Sequence, residues 1–332
     1  MSRIEPAFKG SRSYPHRFDT ELENQIQTGC FGLTNEQPTG SAVIISTRGR
    51  ANIVSSLVKQ LALQSLPPEH IFVVATCDED VAELDRTQKN LTVTIGRPGS
   101  TFQRNDGLRL AGARFSYIVF FDDDFVPSRF WIERMSQIFE SRPDIAGMTG
   151  DMLADGTRTA GIDLAFAKTQ VQGVDSNLDY SRVIEEDFAY GSNVGCNMAY
   201  RYSTMHDITF DERLPLYAWH EDSDFRGQVT RRGKFVRARS LYGVHLGHKK
   251  GRGSGVTLGY SQIANALYLA RKGTVPAGFL AGIACKNIII NTLRSIRPEP
   301  FVDRRGRMRG NFIALLDLIR GRLAPERILN LQ

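Results

Sequence analysis

Cysteine is scarce in this sequence. Its four cysteines, Cys30, Cys77, Cys196 and Cys285, lie far apart and form no Cys-x-x-Cys pair. That spacing excludes a structural zinc site and a disulfide framework, so a reducing, cytoplasmic compartment is expected. A long apolar run is missing too. The segment AGFLAGIACKNIIINTL, residues 277–293, is interrupted by Lys286 and Asn287 and is shorter than the ~20 residues a membrane span needs. The opening MSRIEPAFKGSRSYPHRFDT lacks an apolar core, so no secretory signal is expected. Internal repeats and low-complexity tracts are likewise absent.

What is present is ordinary for a globular chain: 332 residues, 41% hydrophobic and 23% charged. That is enough for one large domain or two smaller ones with ample core. The net charge of +6 is unevenly spread. Residues 229–332 hold about 20 Lys and Arg against about 4 Asp and Glu, leaving the first two-thirds net acidic and the last third strongly basic. Such a basic segment is either a solvated surface or faces phosphates, as in nucleic acid, diphosphate ligands or an anionic membrane. It contains no recognisable RNA or DNA module, and no nucleic-acid partner is expected.

Residues 1–40 show no periodicity and read as an N-terminal arm or small subdomain. Beyond them strands and helices alternate. Residues 41–47, 71–74, 91–95 and 117–121 are short apolar runs with strand character, and 51–64 and 102–114 carry helical spacing. This alternation predicts a parallel doubly wound sheet with its active face at the strand ends. Past residue 150 the pattern loosens, with helices expected over 221–232 and 260–271. Residues 301–323 mix basic clusters with an apolar face, which suits a helix lying on a membrane or on the protein's own core.

The stretch YIVFFDDDFVPSRFW, residues 117–131, sets three aspartates directly after a buried-type strand. Asp122, Asp123 and Asp124 repel one another there unless something positive neutralises them. A divalent metal carrying phosphates is the first expectation, since ligands of open α/β sheets bind at the carboxyl ends of strands. Other polar residues fall at comparable places: Thr47 and Arg48 after the first strand, Asp78 after the second, and Arg104 and Asn105 before the fourth. About a hundred residues after the aspartates comes Trp219-His220-Glu221-Asp222-Ser223-Asp224.

In their order and spacing these features resemble the family 2 glycosyltransferases, inverting nucleotide-sugar enzymes of the GT-A fold. SAVIISTRGRANIVSSLVKQL is similar to their opening strand and helix, STFQRNDGLRLA to their Arg-Asn helix, and YIVFFDDDFVP to their D-x-D strand. GSNVGCNMAYR and FDERLPLYAWHEDSDFRGQVTRRG resemble the acceptor-side glycine segment and the Glu-Asp helix, and Val244-His245 the late histidine. The resemblance covers residues 40–250. It implies an α/β protein with a GT-A type, Rossmann-like doubly wound mixed sheet over residues 41–250. The nucleotide-binding part would be 41–128 and the acceptor part 129–250, followed by a mainly helical, basic extension over 251–332.

The resemblance also implies roles. Asp122 would contact the nucleotide ribose or sugar, and Asp124 would ligate Mg²⁺ or Mn²⁺, hard cations that favour oxygen ligands. His245 would complete the metal site, with His248 as the competing candidate. Asp123 is a nucleotide-side candidate that the pleat turns away from its neighbours. Asp222 would be the general base, with Glu221 beside it. Arg104 and Arg48 would pair with the diphosphate, and Thr47 and Asn105 would line the nucleotide site. Lys249-Lys250-Gly251-Arg252-Gly253-Ser254-Gly255 has the composition of a lid over a diphosphate, or of a plain linker. One departure stands out: Ala75-Thr76 occupies the place of the paired aspartates that contact the base in this family. Asp78 or Thr76 is the substitute candidate.

The activity so implied is hexosyl-type transfer from a nucleotide-diphosphate sugar donor to a glycan or lipid-linked acceptor, in polysaccharide or glycolipid synthesis. The basic C-terminal third adds the expectation of peripheral contact with the inner face of the cytoplasmic membrane. Rival readings are a metal-dependent nucleotidyltransferase, which needs no Glu221-Asp222 base, and a non-catalytic nucleotide- or nucleic-acid-binding protein. A haloacid-dehalogenase type phosphatase fits worse, because Phe125-Val126-Pro127 stands where that family has Gly-Thr.

Overall fold

A computed structural model describes residues 38–176, 184–186, 195–249 and 253–331. Most of the expected N-terminal arm, residues 191–194 of the glycine segment and residues 250–252 of the basic loop lie outside the described residues. The strands are β1 (Thr39–Ser46), β2 (His70–Ala75), β3 (Leu91–Ile95), β4 (Phe115–Asp122), β5 (Phe125–Pro127), β6 (Ile145–Asp155), β7 (Ile184–Glu185), β8 (Asn197–Arg201) and β9 (Lys234–His245). The helices are α1 (Ala51–Ala62), α2 (Ser100–Ala111), α3 (Trp131–Ser141), α4 (Leu164–Ser176), α5 (Tyr202–Met205), α6 (Glu221–Val229), α7 (Gly255–Lys272), α8 (Ala277–Arg294) and α9 (Arg304–Ile319).

All the strands join one mixed sheet. Its order is β3-β2-β1-β4-β8-β6-β9-β5, with β7 paired to β9. The first four strands are parallel, as the alternation predicts, and β8 then enters antiparallel between β4 and β6. Strands at the centre of such a sheet are covered on both faces, which is why β1 and β4 read as continuous apolar runs. Along them the residues alternate between two cores. Val43, Ile45, Val119 and Phe121 join α1 and α3 residues such as Leu57 and Trp131, while Ala42, Ile44, Ile118 and Phe120 pack with Phe210 and Phe225. The register pairs Ser46 with Asp122, so the carboxyl ends of β1 and β4 finish side by side, where the strand order reverses.

The region beyond β9 is mainly helical, as expected, and it is bolted to α6. Asp224 is wholly buried. Its carboxylate accepts from Lys272 Nζ (2.8 Å), Thr274 Oγ1 (2.5 Å) and Gln228 Nε2 (3.0 Å). A Cβ at Gly227 would stand 1.8 Å from the Thr274 carbonyl oxygen, so only glycine allows α6 to meet the α7–α8 junction this closely. The helix expected over 260–271 starts five residues earlier, at Gly255. Ser254 caps it by accepting the Thr257 N–H, a start that the surrounding glycines concealed. The helix expected over 221–232 is, in contrast, shorter and ends at Val229. No helix among the described residues is long and apolar enough to cross a membrane. Within α8, Asn291 is buried and donates to Gln262 Oε1 (2.8 Å) and Asn311 Oδ1 (2.9 Å), tying α8 to α7 and α9.

Candidate active site

A cleft of about 670 Å³ opens at the strand ends, bordered by Thr47, Arg48, Arg50, Arg104, Asp122, Asp123, Glu221, Asp222 and His245. Its size is that of a small-molecule site. The three aspartates leave β4 in three directions. Asp122 accepts from Arg104 Nη2 at 3.0 Å. Asp123 is buried, accepting the Thr47 hydroxyl at 2.7 Å and pairing with Arg50 at 2.9 Å. Asp124, also buried, meets Arg50 at 3.0 Å, His245 Nε2 at 3.2 Å and the His248 N–H at 2.8 Å. The positive partners that the sequence demanded are thus partly the protein's own.

Of the two histidines, His245 brings its imidazole to Asp124, and His248 contributes its main-chain N–H. The other ring nitrogen of His245 lies 3.0 Å from Asp155, an outer-shell carboxylate that orients the ring. Asp122, Asp124 and His245 each offer one ligand atom, and the three atoms lie within 4.8 Å of one another. Two carboxylate oxygens and one imidazole nitrogen make a donor set that fits Mg²⁺ or Mn²⁺.

Burial shapes the charges here. It pushes the Asp123 carboxyl up to about 7, helped by the neighbouring Asp124 and opposed by Arg50. For Asp124 burial works the same way, but His245, Arg50 and the His248 N–H outweigh it and hold the group well below the usual carboxylate range. Burial disfavours the His245 imidazolium, yet hydrogen bonds to Asp124 and Asp155 push it up to about 10. A histidine raised in this way stabilises the fold fully below its unfolded value near 6.5, and that contribution is lost as pH rises through about 10. Asp123, protonated when buried and ionised when unfolded, makes stability fall between about pH 4 and 7. Both slopes have the same sign. The melting temperature in EDTA is therefore expected to fall steadily from about pH 6 to pH 10 by scanning calorimetry. A rise across that interval would contradict these assignments.

The opposite wall is α6. Arg104 is buried and pairs with Glu221 at 2.5 Å as well as with Asp122, and its Nη2 reaches the Gly195 carbonyl at 3.3 Å. The expected pairing of Arg104 with a diphosphate therefore meets a guanidinium already committed to two carboxylates. It works as a tie between the end of β4 and the start of α6. Burial pushes Glu221 up to about 8, with Asp222 and Asp122 adding to the shift and Arg104 opposing it. Asp222 accepts the Ser223 N–H at 2.8 Å with Oδ1. Its Oδ2 faces Gly195, where an added Cβ would come within 2.8 Å, so glycine leaves that carboxylate its room. The loop entering α6 holds Leu216, Ala218 and His220 at φ of 59°, 46° and 70°. Three non-glycine residues in left-handed backbone cost about 1–3 kcal/mol each and are typical of loops held in place for function. Trp219 Nε1, His220 Nε2 and Glu221 Oε2 are buried beside the cleft with no hydrogen-bond partner among the described residues.

Two expected residues lie elsewhere. Asn105 donates to the Phe210 carbonyl and Glu212 and accepts the Phe210 N–H, so it fixes the chain leading to α6. Asp78 pairs with exposed Arg86 and does not border the cleft. Two residues on, buried Asp80 accepts the Gly49 N–H (2.5 Å) and both the Thr76 N–H (2.9 Å) and hydroxyl (2.6 Å). It holds the turn that carries Arg48 and Arg50. Arg50, Asp80 and Asp155 were missed by sequence reasoning. Arg50 in particular stands in a turn where an arginine is ordinarily solvated, and only the fold reveals its two carboxylate partners.

A cleft at the switch point of a mixed sheet, faced by an acidic strand end and a Glu-Asp helix, is the layout of a GT-A glycosyltransferase. Residues 42–208 match the model of glycosyl transferase family 2, and the chain belongs to that family. One solved protein agrees at the level of fold. S. aureus TarS, residues 1–349, superposes with a TM-score of 0.52 at 16% identity, covering 87% of this chain and 82% of TarS. Its complex with UDP-GlcNAc gives the same values. The mannosyltransferase PcManGT from Pyrobaculum calidifontis, in complex with GDP-Man and Mn²⁺, gives a TM-score of 0.46 at 13% identity, covering 84% and 86%. No curated protein matches the sequence significantly.

Proposed function

We propose that this glycosyltransferase moves a sugar from a nucleoside-diphosphate sugar to a hydroxyl acceptor with inversion at the anomeric carbon. The observation that carries the reading is the pairing of two groups across one cleft. Asp122, Asp124 and His245 converge on a common point, and Asp222 stands on the helix that Arg104 ties to them. A bound Mg²⁺ or Mn²⁺ supplies Lewis-acid stabilisation of the departing nucleoside diphosphate. In the transfer, the acceptor oxygen attacks the anomeric carbon as the bond to the diphosphate oxygen breaks, and the hydroxyl proton passes to Asp222. Arg104 holds Asp222's neighbour Glu221 and Asp122 in register for this step. Arg48, exposed on the cleft wall, is placed to meet the phosphate charge.

Stereochemistry tests the reading. With an α-linked donor that the protein binds, the sugar first released in slow hydrolysis is expected to be the β-anomer by proton NMR. An α-anomer would show retention and remove Asp222 as base for an inverting displacement. UDP-GlcNAc, held by the S. aureus TarS structure of the same fold, is the first donor to try.

A further inference from the structure

We propose that the outward faces of α8 and α9 form a docking surface for an anionic lipid bilayer, on which the enzyme meets a lipid-linked acceptor. The acceptor part rests on the function proposed above; the docking surface stands on its own observations.

Both helices bury part of their apolar residues, Leu280 and Ala314 among them, but leave other large ones in the open. A surface helix normally buries its large apolar residues and exposes polar ones. On α9 the buried positions are Gly306, Gly310, Asn311, Ala314 and Asp317, whereas Phe312 is 60% exposed and Ile319 82% exposed. On α8 the helix buries Leu280, Ala284 and Asn291 and exposes Ile289 (57%) and Leu293 (66%) one turn apart, with Ile296 (76%) just beyond. The inward polar residues are satisfied by partners in the helical layer, as with Asn291 on Asn311 and Asp317 on Tyr260 and Arg327. The outward apolar ones are largely uncovered by the described residues.

The charge around them names the partner. Lys286, Arg297, Arg309, Arg320 and Arg322 are exposed, and none has an ion-pair partner among the described residues. The acids of the same segment are already used: Glu299 by Arg294 and Arg304, Asp317 by Arg327, and Asp303 as the cap of α9. Exposed apolar side chains on a segment that also carries these exposed cations complement the headgroup and acyl boundary of an anionic membrane. Because no described helix can span, the contact is peripheral. Ile283 of α8 borders the active-site cleft, so the helix that meets the lipid also walls the site that receives the acceptor.

Flotation of the full chain tests this, using vesicles of phosphatidylcholine alone and with added phosphatidylglycerol. The protein is expected to float with the anionic vesicles at low salt and to be released by high salt. In Ile289→Asp/Leu293→Asp, partitioning should drop by about tenfold or more, since two apolar side chains lose their burial. Phe312→Asp should act in the same direction. All three positions are exposed, so unchanged melting curves and unchanged metal-dependent nucleotide binding are expected of the variants. No flotation with anionic vesicles at low salt would overturn the proposal. Equal flotation with neutral vesicles, or folded variants that float as the parent does, would do the same. A dimer lost in the variants, without flotation, would assign the face to a second copy instead. None of these results touches donor binding, and failure of donor binding would leave the flotation result standing.

Discussion

Asp222→Asn is expected to slow sugar transfer by about 10²- to 10⁴-fold, the usual worth of a positioned acid–base group, while donor affinity stays nearly unchanged. The substitution is isosteric. The amide oxygen can still accept the Ser223 N–H that Oδ1 accepts now, and the amide group faces the same glycine at position 195. What it loses is the ability to take a proton from the acceptor hydroxyl. Initial rates at saturating donor, set beside calorimetric donor affinity, separate the two effects. Glu221 is a poor replacement, because Arg104 holds its carboxylate and burial pushes it up to about 8. Turnover that survives Asp222→Asn would therefore move the base outside this pair altogether.

Asp124→Ala is expected to weaken metal-dependent nucleotide binding by at least about 10- to 100-fold, a loss seen even for residues that only support a metal ligand. The carboxylate lies at the centre of three contacts, with Arg50, His245 and the His248 N–H. Its removal also takes from Arg50 and His245 one of their two carboxylate partners, leaving them Asp123 and Asp155, so stability falls as well. Asp124→Asn keeps the volume and some of the hydrogen bonding, and it separates the two consequences. If the asparagine variant folds like the parent and loses metal-dependent binding, the aspartate is a ligand. If it retains that binding, the ligand role is refuted.

Much of the sheet was legible because its central strands are buried on both faces. Val43–Ile45 and Ile118–Phe121 had to be apolar at every position to serve two cores, and runs like these stand out. The ends of helices were less visible. Ser254 caps α7 within a glycine-rich stretch, and the sequence signal there is that of a linker. Within the site, the acidic residues announced themselves by clustering, since like charges set together need a reason. Their counter-charges did not. Arg50, in a turn, and Asp155, at the end of β6, are single residues distant in sequence from the groups they contact, and only tertiary structure makes them partners of Asp124 and His245. Asn105 shows the converse: a residue at a family-like position whose amide is spent on the Phe210 main chain. The exposed apolar faces of α8 and α9 were half legible. The apolar and basic residues were evident, but which side each faced depended on Asn291 and Asn311 turning inward.

The central claim is that the acidic strand end holds a divalent cation for a nucleoside diphosphate, and calorimetric titration tests it most directly. The full chain is titrated with UDP, GDP, dTDP, CMP and ATP, each with and without Mn²⁺ or Mg²⁺. Binding of one nucleoside diphosphate that appears only with the metal, and is lost in Asp124→Asn, is the predicted result. Binding that is indifferent to metal, or confined to the triphosphate, would contradict it.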